Sequence, residues 1–188
     1  MNWIETLIFQ NFYKIKTIKY ENLIASIFRF ISQICFEKYS EDIKEYIKDN
    51  LYFSDETIYF GSVIAMKAGY QWKQLGTELL NYHLSADNAC FRVKVGSLCV
   101  FNTFLCECSE ESQFRKIFEI CAEILESTEY CTLSMLLIKL LIMINRISID
   151  ELKSCEDLLM EIVGSDSTDD FAYNLAEELL IFIDKIGE

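Results

Sequence analysis

The sequence predicts an all-α fold, a single domain spanning residues 1–188 and built from stacked antiparallel helix pairs, with a compact helical bundle as the alternative packing. Three observations predict it. Proline is absent and only 6 glycines occur in 188 residues, so little interrupts helix interiors. Apolar residues recur along most of the chain at i, i+3, i+4 and i+7. Helix-start signals near Ser109, Thr128, Ser148 and Thr168 are spaced 19 or 20 residues apart. A hydrophobic content of 52%, with 14 Phe and 10 Tyr, supplies the apolar surface for one sizeable core and excludes a disordered chain.

Taken in order, the periodicity places helices over about Asn2–Tyr13, Glu21–Lys38, Glu41–Asn50, Asp55–Ala68, Gln71–His83 and Ala86–Cys106, with Ser40, Ser54 and Ser85 near their starts. Two segments compete with this reading. Residues 13–20, Tyr-Lys-Ile-Lys-Thr-Ile-Lys-Tyr, alternate like a strand and are read as an irregular turn or helix extension. Phe91 to Val95 alternate too, but Phe91, Val95, Leu98, Cys99, Leu105 and Cys106 also share a helical face, so this segment is read as helix.

Downstream the pattern is plainer. From Glu110 to Ser127, Phe114, Ile117, Phe118, Cys121, Ile124 and Leu125 form one apolar stripe. Glu129–Asn145 is apolar nearly all round, which predicts an inner helix, and Thr128 stands before it. Ser148–Val163 opens with a capping box, Ser148 to Glu151, and stops at Gly164. Thr168, followed by Asp169 and Asp170, caps a last helix that buries Phe171, Leu175, Leu179, Phe182, Ile183 and Ile186.

A start every 19 or 20 residues makes a helix pair about every 40, and this spacing over the C-terminal half resembles HEAT and armadillo arrays. The resemblance implies pairs that each bury one face on the next, and so an extended binding surface. It is one of spacing: no consensus residue of those repeats can be matched, and their frequent proline is missing. The alternative bundle is of the kind seen in Bcl-2-like viral proteins.

The apolar stretch Leu133–Ile144 falls short of the roughly 18 to 20 residues that cross a bilayer and contains Lys139, which predicts a core helix and no membrane association. The first residues lack a basic start and a small-residue cleavage site, so the expected compartment is cytoplasmic. There the 8 cysteines are expected as reduced core thiols. Cys90, Cys99, Cys106 and Cys108 contain no C-x₂-C knuckle, and Cys99 and Cys106 lie seven apart beside Leu98 and Leu105, a spacing that suits core packing better than zinc.

His83 is the single histidine, so a Cys-His or Ser-His mechanism would need it; its position near a predicted helix end suits dipole matching instead. The pairs Glu110–Glu111, Asp169–Asp170 and Glu177–Glu178 fall at helix starts or on polar faces, where acids are solvated. No phosphate-binding loop, EF-hand loop or H-E-x-x-H occurs. No catalytic residue, metal or cofactor is expected, and no small-molecule substrate.

Charge is uneven. The net charge is −13, and residues 108–188 hold 18 acidic against 6 basic side chains, whereas residues 1–107 are nearly balanced. Such asymmetry points to a macromolecular partner, a protein or a ribonucleoprotein. The candidate contact residues are basic ones in the N-terminal half: Lys14, Lys16 and Lys19 between Tyr13 and Tyr20, with Lys67, Lys73, Arg92 and Lys94 near Tyr70 and Trp72. The function expected is that of a non-enzymatic helical adaptor. In overall composition, proline-free and rich in Ile, Lys, Phe, Tyr and Cys, the chain resembles the microsporidian ribosome dormancy factors, which implies ribosome association with local rRNA contacts. The alternative is an effector-type or Bcl-2-like module that takes an amphipathic helix into an apolar groove.

Overall fold

A computed structural model of the chain describes residues 20–34, 37, 41–87, 89–127, 129–165 and 169–186. These form helices, with no strand among them. In order they are α1 (Glu21–Ile31), α2 (Glu41–Asn50), α3 (Asp55–Ala68), α4 (Lys73–Ser85), α5 (Phe91–Phe104), α6 (Glu111–Ile124), α7 (Cys131–Met143), α8 (Ile149–Lys153), α9 (Glu156–Gly164) and α10 (Asp170–Ile186). Short 3₁₀ segments, Gly69–Trp72 and Leu105–Glu107, follow α3 and α5. The helix expected over Asn2–Tyr13, and the turn after it, lie outside the described residues.

Every second helix packs on the next: α1 on α3, α3 on α5, α5 on α7 and α7 on α10. The intervening helices lie alongside, with α4 against α3 and α5, α6 against α5 and α7, and α8 and α9 against α10. Cross-contacts fix the directions. Glu56 pairs with Arg92 at the starts of α3 and α5, and Tyr70 meets Cys106 just past their ends, so these helices run parallel in a register of 36 residues. Phe91 faces Tyr130 at the starts of α5 and α7, and Lys139 reaches Glu178 between α7 and α10, 39 residues on. The partner helices run the other way. Gly76, early in α4, faces Phe104 at the end of α5, and Lys94 near the start of α5 reaches Glu123 near the end of α6. The layout is a stack of antiparallel helix pairs with a pair-to-pair register close to the 40 residues read from the sequence.

At the centre lies α5, enclosed by α3, α4, α6 and α7. Nine of its residues are buried: Val93, Val95, Gly96, Ser97, Leu98, Cys99, Val100, Phe101 and Phe104. In its first turn Val93 and Val95 are buried while Phe91 and Arg92 are exposed and Lys94 is half-buried, an alternation that explains why Phe91–Val95 mimicked a strand. By contrast α7, whose sequence is the more apolar, leaves Leu136 and Met143 exposed, with Ile144 just past its end.

Several ends differ from expectation, each for a local reason. α1 stops at Ile31 and not at Lys38: the Ser32 hydroxyl donates to the Arg29 carbonyl, and the Lys67 ammonium donates to the Ser32 carbonyl. Ser85 closes α4 instead of opening α5, which begins only at Phe91. The helix expected over Ser148–Val163 is broken where the Ser154 hydroxyl donates to Glu151 O at 2.6 Å and the Cys155 N–H bonds Leu152 O. The last helix is capped by Asp169, whose carboxylate accepts from the N–H groups of Phe171 and Ala172 at 2.9 and 2.8 Å; Thr168 lies outside the described residues.

Other signals hold as read. Ser54 and Thr57 form a capping box for α3, and Ser148 and Glu151 form one for α8. α7 ends with Asn145 in the left-handed region at φ 55°, while the Arg146 N–H reaches back to Leu141 O at 2.9 Å, a Schellman closure.

Small residues let these layers close. A methyl group on Gly96 of α5 would lie 3.2 Å from Tyr59 Cα and 3.3 Å from the Ser62 hydroxyl of α3. One on Gly76 of α4 would lie 2.0 Å from the ring of Phe104, which is fully buried. Gly76→Ala is therefore expected to destabilise by about 1–3 kcal/mol, outweighing the roughly 1 kcal/mol that Ala gains in helix propensity. Urea unfolding followed by circular dichroism checks this; a variant as stable as the parent would show that α4 and α5 are not packed this closely.

Candidate partner-binding surfaces

The candidate basic residues divide into two groups. Lys14, Lys16 and Lys19 lie outside the described residues. Lys67, Lys73, Arg92 and Lys94 are described, and each is engaged by the chain itself. Lys67 donates to Ser32 O, closing the end of α1. Lys73 pairs with Glu107 at 2.7 Å, its ammonium 5.8 Å from the Tyr70 ring centre. Arg92 pairs with Glu56 at 2.9 Å and lies over Tyr59 and Phe60, 4.7 and 5.5 Å from the ring centres. Lys94 pairs with Glu123. Lys73 and Lys67 sit towards the C-terminal ends of α3 and α5, Arg92 and Lys94 at the start of α5, so they do not converge on one patch. Partly exposed pairs of this kind contribute about 0–1 kcal/mol each, and a phosphate would have to replace a carboxylate already in place at three of the four.

The acidic pairs lie where the sequence placed them. Glu110 and Glu111 stand at the start of α6, and Gln113 reaches back to accept from the Ser109 and Glu110 N–H groups. Asp169 caps α10, Glu178 holds Lys139 at 2.7 Å, and Glu177 is exposed. Among the basic residues of the C-terminal half, Arg115, Lys116, Lys139 and Arg146 all face acids of the chain.

His83 departs from its expected place. Near the end of α4 it is only 2% exposed, its Nε2 lies 2.9 Å from the Ser62 hydroxyl oxygen, and its ring stands edge-on to Tyr82 and Phe101. Burial pushes its pKa down to about 3, so it is neutral and cannot match the helix dipole as a cation. The Ser62–His83 pair is sealed: Ser62 is fully buried and its hydroxyl also donates to Ile58 O at 2.9 Å. The space beside His83, between Asp87, Lys94, Lys116 and Glu123, measures about 20 Å³, room for one water.

Cys99, Cys108, Cys121, Cys131 and Cys155 are buried, as core thiols should be. Burial pushes Cys99 and Cys108 up to about 11 and Cys121 to about 12, which suppresses thiolate chemistry. Cys90 and Cys106 are exposed. Cys106 falls in the 3₁₀ turn after α5, off the helical face it was expected to share with Cys99, and Tyr70 bonds it; that bond, then burial, pushes the Tyr70 phenol to about 12. Among the described residues no three His, Cys, Asp or Glu side chains are grouped to hold a metal.

An open apolar groove was not singled out in the sequence. Between the ends of α5 and α7 and the start of α6 lies a groove of about 440 Å³, lined mainly by Leu105, Cys106, Cys108, Phe114, Leu140 and Ile144, with Asn102, Thr103 and Arg146 at its margins. Arg146 lies over the Phe114 ring at 4.8 Å and faces Glu111 at 3.8 Å. The groove exists because α6 starts beside the ends of both α5 and α7, a meeting that depends on the stacking register. The legible trace of it was the all-round apolarity of α7, which burial alone did not require.

No family model, curated protein or solved structure matches the chain.

His83 yields a prediction about pH. Its unfolded value of 6.5 exceeds its folded value of about 3, so below 6.5 the unfolded state binds more protons. This stability is complete above pH 6.5 and is lost as pH falls towards 3, amounting to about 2 kcal/mol between pH 7 and pH 5. Denaturant melts of the parent and of His83→Gln across that range are expected to differ by this amount in their pH slope; parallel slopes would place His83 in water.

Proposed function

We propose that this chain is a non-enzymatic helical adaptor that works in the cytoplasm by binding a macromolecular partner, with protein making the contact. The observation that carries this reading is the open apolar groove on the edge of the stack where α5 and α7 end. The described candidate basic residues, Lys67, Lys73, Arg92 and Lys94, are already held by the chain. A stack of helix pairs is stiff and presents continuous surface, which suits recognition by shape. No described helix is long and apolar enough to cross a membrane. The polar core groups, Ser62 and His83 among them, support packing and have no room for a substrate beside them.

Ribonucleoprotein binding, including the ribosome-associated dormancy role implied by the resemblance in composition, is the second reading. Lys14, Lys16 and Lys19 favour it, as three cations in six residues beside two tyrosines. On this reading the acidic C-terminal half faces solvent or basic ribosomal protein.

Capture from native lysate separates the two. With the whole chain as bait, the protein-contact reading expects the same partner before and after RNase, and unchanged capture when Lys14, Lys16 and Lys19 are all changed to Glu. Loss of the partner on RNase treatment, together with loss in the triple variant and a flattened salt dependence, would overturn it in favour of RNA.

A further inference from the structure

We propose that the groove between α5, α6 and α7 is a docking site for a basic amphipathic helix of a partner protein; this rests on the adaptor reading and names its site and ligand chemistry. The groove does not end at its lining residues. Leu136, Leu140, Met143 and Ile144 follow one another at i, i+4, i+7 and i+8 along α7, and Leu140 and Ile144 line the groove. Met143 is 72% and Ile144 42% exposed, and Leu136 is exposed as well. The row runs about 12 Å at 1.5 Å per residue, the span of two turns of a facing helix. A row of that shape matches a ligand that sets down apolar anchors at i, i+3 or i+4, and i+7. A small molecule would use the pocket and leave the row uncovered. Methionine at the lip suits such a site, because its flexible side chain moulds to different apolar anchors.

Charge selects the flanks of that helix. Near the groove stand Glu107, which holds Lys73, Glu111, which faces the groove-lining Arg146, and Glu110 at the start of α6. Behind it lies a C-terminal half with 18 acids to 6 bases, of which Arg115, Lys116, Lys139 and Arg146 already face acids of the chain. With the nearest acids matched by Lys73 and Arg146, it is this surplus of the C-terminal half, within a net charge of −13, that favours Lys or Arg beside the apolar face of an incoming helix.

The test uses the whole chain and two labelled helical peptides of about 15 residues, one of Leu and Lys, the other of Leu and Glu with the same apolar spacing. Fluorescence anisotropy is expected to show saturable binding of the basic peptide, weakened by salt, and little binding of the acidic one. The double variant Met143→Ser, Ile144→Ser, altered only at exposed positions, should bind the basic peptide about tenfold more weakly or worse with its circular dichroism unchanged. Glu107→Gln with Glu111→Gln should reduce the salt dependence. Equal binding of both peptides, full affinity in the serine variant, or a dimer of the parent chain that the serine variant abolishes would each overturn the assignment, the last by making a second copy the occupant. If the serine variant still captures an RNase-resistant protein partner from lysate, the adaptor reading stands and only the groove falls.

Discussion

The structure depends on how closely α3 and α5 approach each other. A methyl group on Gly96 would lie 3.2 Å from Tyr59 Cα and 3.3 Å from the Ser62 hydroxyl, tighter than an ordinary contact, and that same hydroxyl bonds His83 of α4 and Ile58 O of its own helix. Three helices are thus tied at one buried polar point. Once α3 and α5 lie parallel at this distance, Glu56 falls opposite Arg92 and Tyr70 opposite Cys106, and the pocket left by Gly76 receives Phe104. The arrangement passes on through α5 to α7 and from α7 to α10 at nearly the same register. Buried polar groups stabilise only when satisfied, and here both members of the Ser62–His83 pair are.

How legible this was in the sequence varied with the kind of interaction. Local signals read well: the helix start at Ser54, the capping box at Ser148 and the stripe from Phe114 to Leu125 all depend on residues a few positions apart. Ends set by competing side-chain bonds read poorly. Ser32 and Ser154 each divert a hydroxyl to a carbonyl three residues back, and nothing in their neighbours separates them from serines that a helix tolerates. His83 was misplaced because its environment is made by Ser62 and Phe101, 21 and 18 positions away. The groove was invisible for the same reason, since its walls come from three helices. The all-round apolarity of Glu129–Asn145 was read as the mark of an inner helix, whereas α7 leaves Leu136 and Met143 exposed.

Electrostatics follows from this packing. The near-balanced N-terminal half uses its described cations to tie segments together, Lys67 to α1, Lys73 to the turn after α5, and Arg92 to α3. The C-terminal half pairs Arg115, Lys116, Lys139 and Arg146 with acids and keeps a surplus of acids. A molecule so divided is drawn to basic partners from a distance, and the exposed apolar row on α7 gives such a partner something to bury on arrival. The groove lies on the side of the chain that holds the acidic surplus, since two of its three helices, α6 and α7, belong to the C-terminal half.

The most direct test of the central claim is native-state amide hydrogen exchange resolved by helix. If the α3–α5 contact organises the stack, the amides of α5 and the middle of α3 exchange only by global unfolding, while α8 and α9, short and divided at Ser154, open at lower free energy. Exchange of α5 as fast as that of α9 would contradict the account, because the helix packed on α3, α4, α6 and α7 would then not be the last to open.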